Sequence, residues 1–119
     1  MWKLEPGERL AHWRAFRKSL DDLPLADAIQ AVAEFWHNCP YHPYYLDPSD
    51  PLSWPTAWEL ISENTYCEVA RGLGMVYTLL LLGVTDIDFC LATDDNSEEV
   101  VLVLVDNAKY VMNYWPEMV

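Results

Sequence analysis

The longest apolar run in the chain, TYCEVARGLGMVYTLLLLG at residues 65–83, constrains the fold more than any other stretch. Its apolar residues recur at helical spacing, which predicts one helix with a continuous core face. That face consists of Val69, Leu73, Val76, Tyr77 and Leu80. Thr65, three residues before Glu68, predicts a capping box at the start of the helix, and Gly83 predicts its end. The run is too short and too interrupted to span a membrane.

Two glycines, Gly72 and Gly74, interrupt this predicted helix. Each lowers helix propensity by about 1 kcal/mol relative to alanine. A helix surface without side chains allows another element to come close to the backbone. We therefore expect close packing against the helix at these two positions.

Cys67 falls in the predicted first turn, where the helix dipole and the free N–H groups favour a thiolate. One hypothesis makes Cys67 a nucleophile, with His37 or His42 as its base and Asp47 or Asp50 orienting the imidazole. The alternative is a cysteine that only packs, because cysteine is among the most buried residue types.

The first half of the chain predicts three further helices, at residues 6–20, 24–38 and 54–63. Asp22 is the predicted N-cap of the second helix and Ser53 that of the third. The first helix has an apolar stripe and a set of basic residues predicted to lie largely off it. The stripe is Leu10, Trp13, Phe16 and Leu20, and the basic residues are Arg9, Arg14, Arg17 and Lys18.

After Gly83 the pattern changes from helical spacing to alternation. Residues 87–91 predict a half-buried strand, residues 100–105 a central strand covered on both faces, and residues 110–114 a third strand after a tight hairpin at 106–109. The chain is therefore predicted to be a single α+β domain, residues 1–119. Its helices, including the one with Cys67, pack on one face of a three-stranded antiparallel meander.

The segment between Cys39 and Pro55 contains five prolines and predicts an ordered, extended loop that buries several aromatic rings. Ordered loops carry binding residues more often than core elements do. The predicted binding residues are Tyr41, His42, Tyr44, Tyr45, Asp47, Asp50 and Trp54. No metal site is predicted here, because the spacing of His37, Cys39 and His42 matches no strong zinc pattern. No cofactor is predicted either.

The formal net charge of −12 is large for 119 residues and predicts a surface that repels nucleic acid and anionic membranes. Such a surface attracts a basic protein partner, imitates a phosphate backbone, or only keeps the chain soluble. An odd number of cysteines and no recognisable signal peptide predict reduced thiols in the cytoplasm. The aliphatic strand at 100–105 and the exposed sheet edges are compatible with homo-oligomers.

The order of a cysteine-bearing helix and a strand meander resembles the transglutaminase-like branch of the papain-like fold. The matching segments are TYCEVARGLGMVYTLLLLGV, DIDFCLA and EVVLVLVDNAKYVMNYW. The resemblance implies Cys67 as nucleophile and a histidine on the strand after the helix, yet no histidine follows Cys67. Asp106 or Asn113 stands where the family's third residue is expected. The segment WPTAWELISENTYCEVARGLGMVYTL is also similar to small proteins of tailed bacteriophages, which implies a phage origin and a location in the host cytoplasm or the virion.

Three functions follow from these observations. The favoured one is a non-catalytic acidic interaction domain with a degenerate transglutaminase-like core. The second is a cysteine-dependent hydrolase or acyl transferase that uses Cys67. The third is a nucleic-acid mimic that occupies a host DNA-binding or defence protein.

Overall fold

The computed structural model describes residues 1–42, 46, 50–93 and 99–113. Four α-helices precede three strands in the described chain: α1 (Pro6–Ser19), α2 (Leu25–His37), α3 (Ala57–Glu63), α4 (Glu68–Leu81), β1 (Ile87–Thr93), β2 (Glu99–Val105) and β3 (Tyr110–Met112). A short 3-10 helix, Pro51–Ser53, precedes α3. The strands form one antiparallel sheet in the order β1-β2-β3, so the predicted α+β class with a meander is confirmed.

The central strand β2 packs against α4 with one face only. Val101, Val103 and Val105 are buried, whereas the alternate residues Leu102 and Leu104 are partly exposed. The predicted central position of this strand is confirmed, but its predicted coverage on both faces is wrong for the described part of the chain. All four helices precede the sheet in the chain, and α4 is the helix that packs on both β1 and β2.

Helix α4 begins two residues later than the sequence pattern predicts. Its N-cap is Cys67, which makes no side-chain cap, and the Thr65 hydroxyl donates to the Glu63 carbonyl instead. The predicted capping box at Thr65 is therefore wrong. The physical reason is Tyr66, which pairs with Tyr41 in a parallel bridge and so keeps this backbone out of the helix.

The real capping box lies at the start of α3. The Thr56 hydroxyl accepts from the Glu59 N–H, and the Glu59 carboxylate accepts from the Thr56 N–H. Ser53 was the wrong cap because Trp54 precedes a proline and is extended, which delays the helix. The same rule corrects Asp22, since Leu23 also precedes a proline and α2 starts only after Pro24.

The end of α4 and its two internal glycines behave as predicted. Gly83 has φ +94° and donates to the Leu80 carbonyl, while Val84 donates to that of Leu79, which is a Schellman motif. A Cβ at Gly74 would stand 2.6 Å from the Trp36 ring. At Gly72 it would stand 2.9 Å from both Phe89 and the Asn113 amide. Close approach at both glycines is therefore confirmed.

A buried hydroxyl joins three helices in the core. Thr78 on α4 accepts from the indole N–H of Trp13 at 3.0 Å and from that of Trp36 at 2.9 Å. The same hydroxyl donates to the Gly74 carbonyl at 2.7 Å. Its one donor and two acceptor positions are thus all used. Thr78 and both indoles are almost completely buried.

Arg9 lies inside the protein, which corrects its predicted place on the basic surface of the first helix. Only 7% of it is exposed. Its guanidinium donates to the carbonyls of Ile61 and Ser62, in the last turn of α3, and to that of Leu4. A cation among the free carbonyls at a helix C-terminus satisfies them and complements the helix dipole. Arg9 therefore fastens α1 to α3.

Candidate functional site

Cys67, the predicted nucleophile, is 4% exposed and stands immediately before α4. Its sulfur accepts a hydrogen bond from the Leu46 backbone N–H at 3.4 Å. The neighbouring Cys39 is half-buried, and burial raises the pKa of its thiol to about 12, with Arg71 acting in the opposite direction. The thiol of Cys39 is therefore protonated at neutral pH.

Neither of the two predicted base residues bonds to this cysteine in the described part of the chain. His42 is exposed, and its backbone N–H donates to the Tyr66 carbonyl at 2.6 Å. His37 ends α2, and its Nδ1 is buried without a hydrogen-bond partner in the described part of the chain. Neither imidazole forms a hydrogen bond with Cys67 in the ranges that the structure describes.

Four further residues were predicted to assist this chemistry: Asp47, Asp50, Asp106 and Asn113. Asp106 is exposed, and its backbone N–H donates to the Asp86 carbonyl. Asn113 accepts from the Arg71 guanidinium at 2.7 Å and donates to the carbonyls of Glu68 and Val101. It therefore orients a guanidinium and joins α4 to β2, in place of orienting an imidazole. Asp50 is exposed, and its backbone carbonyl accepts from Ser53 at the 3-10 helix.

The predicted binding loop is described in part. Tyr44, Tyr45 and Asp47 lie outside the described residues. Tyr41 is 60% exposed, whereas Trp54 is half-buried and packs on Phe89 of β1 with 5.4 Å between the ring centroids. Of the predicted binding residues that the structure describes, Trp54 is thus the one that packs on the sheet.

An apolar pocket of about 40 Å³ lies where Trp54 meets β1. It is lined by Trp54, Phe89, Cys90, Leu91 and Val101. Leu91 is 51% exposed, although the alternation of the strand predicts it in the core. The alternation did not reveal that β1 is an edge strand. Leu91 therefore lies at the edge of the sheet, where the covering helix does not bury it completely.

Along its outer side, the backbone of β1 has N–H and C=O groups without a hydrogen-bond partner among the described residues. In an antiparallel pair, hydrogen-bonded and non-hydrogen-bonded residue pairs alternate. The Asp106 N–H donates to the Asp86 carbonyl, so these two residues are a hydrogen-bonded pair, and the next pair, Ile87 with Val105, is a non-hydrogen-bonded one. In that phase the N–H and C=O groups of Ile87, Phe89 and Leu91 point away from β2. Within the described chain no other strand pairs with this edge. We call the outward groups of these three residues, together with the pocket, the β1 edge site.

The charge near the β1 edge site is mostly negative. Asp86 and Asp88 are exposed, and the Asp88 side chain lies on the sheet face that α4 does not cover. Arg71 is a cation at the Leu91 end of β1, because Asn113, which accepts from it, donates to the carbonyl of Val101, the residue paired with Leu91. The whole chain has a formal charge of −12, so a basic ligand is attracted to the molecule as a whole.

No group of three or more metal-binding side chains occurs among the described residues. None of the helices in the same ranges is both long and apolar enough to cross a membrane. Comparison of the chain with protein-family models, with curated proteins and with solved structures finds no match. Membership of the transglutaminase-like branch and a phage origin therefore stay predictions from sequence.

Proposed function

We propose that this chain is a non-catalytic, acidic domain that binds a basic protein. The observation that carries the proposal is the β1 edge site, where half-exposed Leu91 and an apolar pocket occur together with a strand edge that no described strand pairs with. Exposed strand edges are ready to pair with another chain, and natural proteins usually protect them. The net charge of −12 selects basic partners and raises their rate of association.

The cysteine-dependent enzyme has weaker support. A nucleophilic thiolate needs a base within hydrogen-bond reach, whereas the sulfur of Cys67 accepts from the Leu46 backbone N–H. The test is alkylation of the folded protein at several pH values, with each cysteine followed by mass spectrometry. We expect Cys67 and Cys39 to react much more slowly than half-buried Cys90 at neutral pH, and Cys67 to be unaffected by His37→Ala or His42→Ala. Fast labelling of Cys67 that either substitution abolishes would establish the enzyme instead.

The interaction function is tested by photo-crosslinking from three exposed positions. A benzophenone amino acid replaces Leu91 on β1, Trp58 on α3, or Ala15 on α1, which carries Arg14 and Lys18. After irradiation in bacterial lysate at low salt, captured proteins are identified, purified and titrated with the wild-type chain. We expect a basic partner at Leu91 or Trp58 but not at Ala15, since the cations of α1 repel it.

The titration decides between outcomes. Binding of the purified partner that weakens steeply as salt rises supports the proposal, because the attraction between exposed charges is screened. Equal capture at all three positions, or no binding by any purified candidate, refutes it. If the purified partner is a DNA-binding protein that DNA displaces from the chain, the nucleic-acid mimic is the correct form of this function.

A further inference from the structure

We propose that the β1 edge site binds an extended, basic peptide segment of the partner as an added strand. One apolar side chain of that segment sits in the pocket beside Trp54 and Leu91. This inference rests on the proposed function and specifies which part of the partner is bound.

The backbone of β1 provides the affinity. Phe89 and Leu91 each present one N–H and one C=O on the outer side, in the phase set by the Asp106 to Asp86 bond. An extended peptide pairs with these groups as a neighbouring strand does. In such strand addition, main-chain hydrogen bonds supply affinity and pockets for alternate side chains supply specificity.

The pocket selects an apolar residue at one position of the peptide. Residues directly opposite each other in a sheet have their side chains on the same face. A peptide residue opposite Leu91 therefore directs its side chain to the face where Trp54 and Val101 line the pocket. A volume of about 40 Å³ suits a small aliphatic side chain. Its entry also buries the exposed half of Leu91, which favours binding through the hydrophobic effect.

The carboxylates select the flanking residues of the peptide. Its next residues turn to the other face of the sheet, where Asp88 is exposed. Lysine or arginine at those positions is favoured, and glutamate or aspartate is repelled. Arg71 keeps its positive charge, because Asn113 is neutral, but this single cation is outweighed by the net charge of −12 on the whole chain.

A second copy of this chain is the disfavoured occupant of the same edge. Pairing of two β1 strands brings together two molecules that each carry −12. Asp88 of each copy then lies close to the other strand's acidic end, and like charges across strands are destabilising. A basic peptide removes this repulsion and keeps all the backbone bonds.

The test uses two fluorescein-labelled peptides of equal apolar content, one alternating lysine and valine and the other alternating glutamate and valine. Binding to the purified chain is measured by fluorescence anisotropy at low salt. A third peptide has the lysine–valine sequence with N-methyl groups on alternate residues, which block strand pairing. We expect the plain lysine–valine peptide to bind at least about tenfold more tightly than either of the others.

Matched variants locate the binding. Leu91→Lys and Leu81→Lys add the same charge at leucines of similar exposure, 51% and 46%. We expect Leu91→Lys to weaken binding about tenfold and Leu81→Lys to change it less than twofold. We expect Leu91→Ala, which adds no charge, to weaken binding as well. This variant replaces Leu91→Lys in the test if circular dichroism shows that the lysine variant does not fold.

Three outcomes of the peptide experiments overturn the inference: no peptide binding, binding unaffected by N-methylation, or equal loss in Leu91→Lys and Leu81→Lys. The last two mean that the peptide binds by charge alone. A purified partner captured through Trp58 and not through Leu91 leaves the proposed function intact and refutes strand addition. Failure of the proposed function itself is distinguished by the absence of any purified partner.

Discussion

The hydroxyl of Thr78 gives the sharpest test of what holds the core together. Thr78→Val keeps the shape of the side chain and its β-branching, and the two residues have similar helix propensity. The substitution leaves the indole N–H groups of Trp13 and Trp36 without their acceptor. Both rings are buried, with 1% and 0% exposed, so water cannot replace the hydroxyl without rearrangement.

The expected cost follows from those two donors. A buried donor left unsatisfied costs about 1–3 kcal/mol, so two cost about 2–6 kcal/mol. Domains of this kind are stable by about 5–15 kcal/mol, so Thr78→Val removes a large part of the total. Thr78→Ser keeps the hydroxyl and loses one methyl group, which costs about 1 kcal/mol.

The assay is urea unfolding followed by tryptophan fluorescence, with the free energy of unfolding compared among wild type, Thr78→Ser and Thr78→Val. A Trp13→Phe substitution in the valine background removes one stranded donor. We therefore expect the double variant to lose less stability than the sum of the two single variants. If Thr78→Val is as stable as Thr78→Ser, or if the losses add completely, the hydroxyl does not stabilise the core in this way.

Two further predictions concern helix positions. Gly74→Ala should lower the melting temperature, because overpacking against the Trp36 ring costs about 1–3 kcal/mol and exceeds the helix-propensity gain of up to about 1 kcal/mol. Gly7→Ala has no atom within 4 Å of its new Cβ and should not lower it, so equal melting temperatures would contradict the steric explanation. Hydrogen bonds from Thr56 lower the pKa of Glu59. Their stabilisation is complete above the unfolded-state pKa and is lost as pH falls through the folded-state pKa. Glu59→Gln should therefore reduce the loss of melting temperature between about pH 6 and pH 3, and an unchanged loss would show that this cap does not contribute.

The long, periodic elements were predictable from sequence because one pattern determines each of them. Helical spacing identified α1, α2 and α4, and alternation identified β1. Gly83 was recognisable as the end of α4, since a glycine that follows a helical pattern commonly ends the helix in the left-handed conformation.

The starts of the helices were less predictable, because local signals compete with tertiary contacts there. Thr65 and Glu68 have capping-box spacing, yet the pairing of Tyr66 with Tyr41 holds that backbone extended. No local pattern encodes this pairing between residues far apart in the chain. Arg9 illustrates the same limit, because the carbonyls that bury it belong to α3.

The sequence predicted one residue of the candidate site, Trp54, and missed another, Leu91. Trp54 was selected as a binding aromatic, and the structure places it in the pocket. Leu91 was assigned to the core, because alternation reports which face a residue is on and not how far it lies from the sheet edge. Strand order, which makes β1 an edge, depends on the whole fold.

The three hydrogen bonds of Asn113 also affect the order in which the protein folds during synthesis. The ribosome makes α4 and β2 first, but the amide that joins the Glu68 and Val101 carbonyls comes from this later residue. We expect nascent chains that stop before residue 113 to be cut by protease between α4 and the sheet, and longer ones to resist it. Closure of the domain would then wait until residue 113 has emerged from the ribosome.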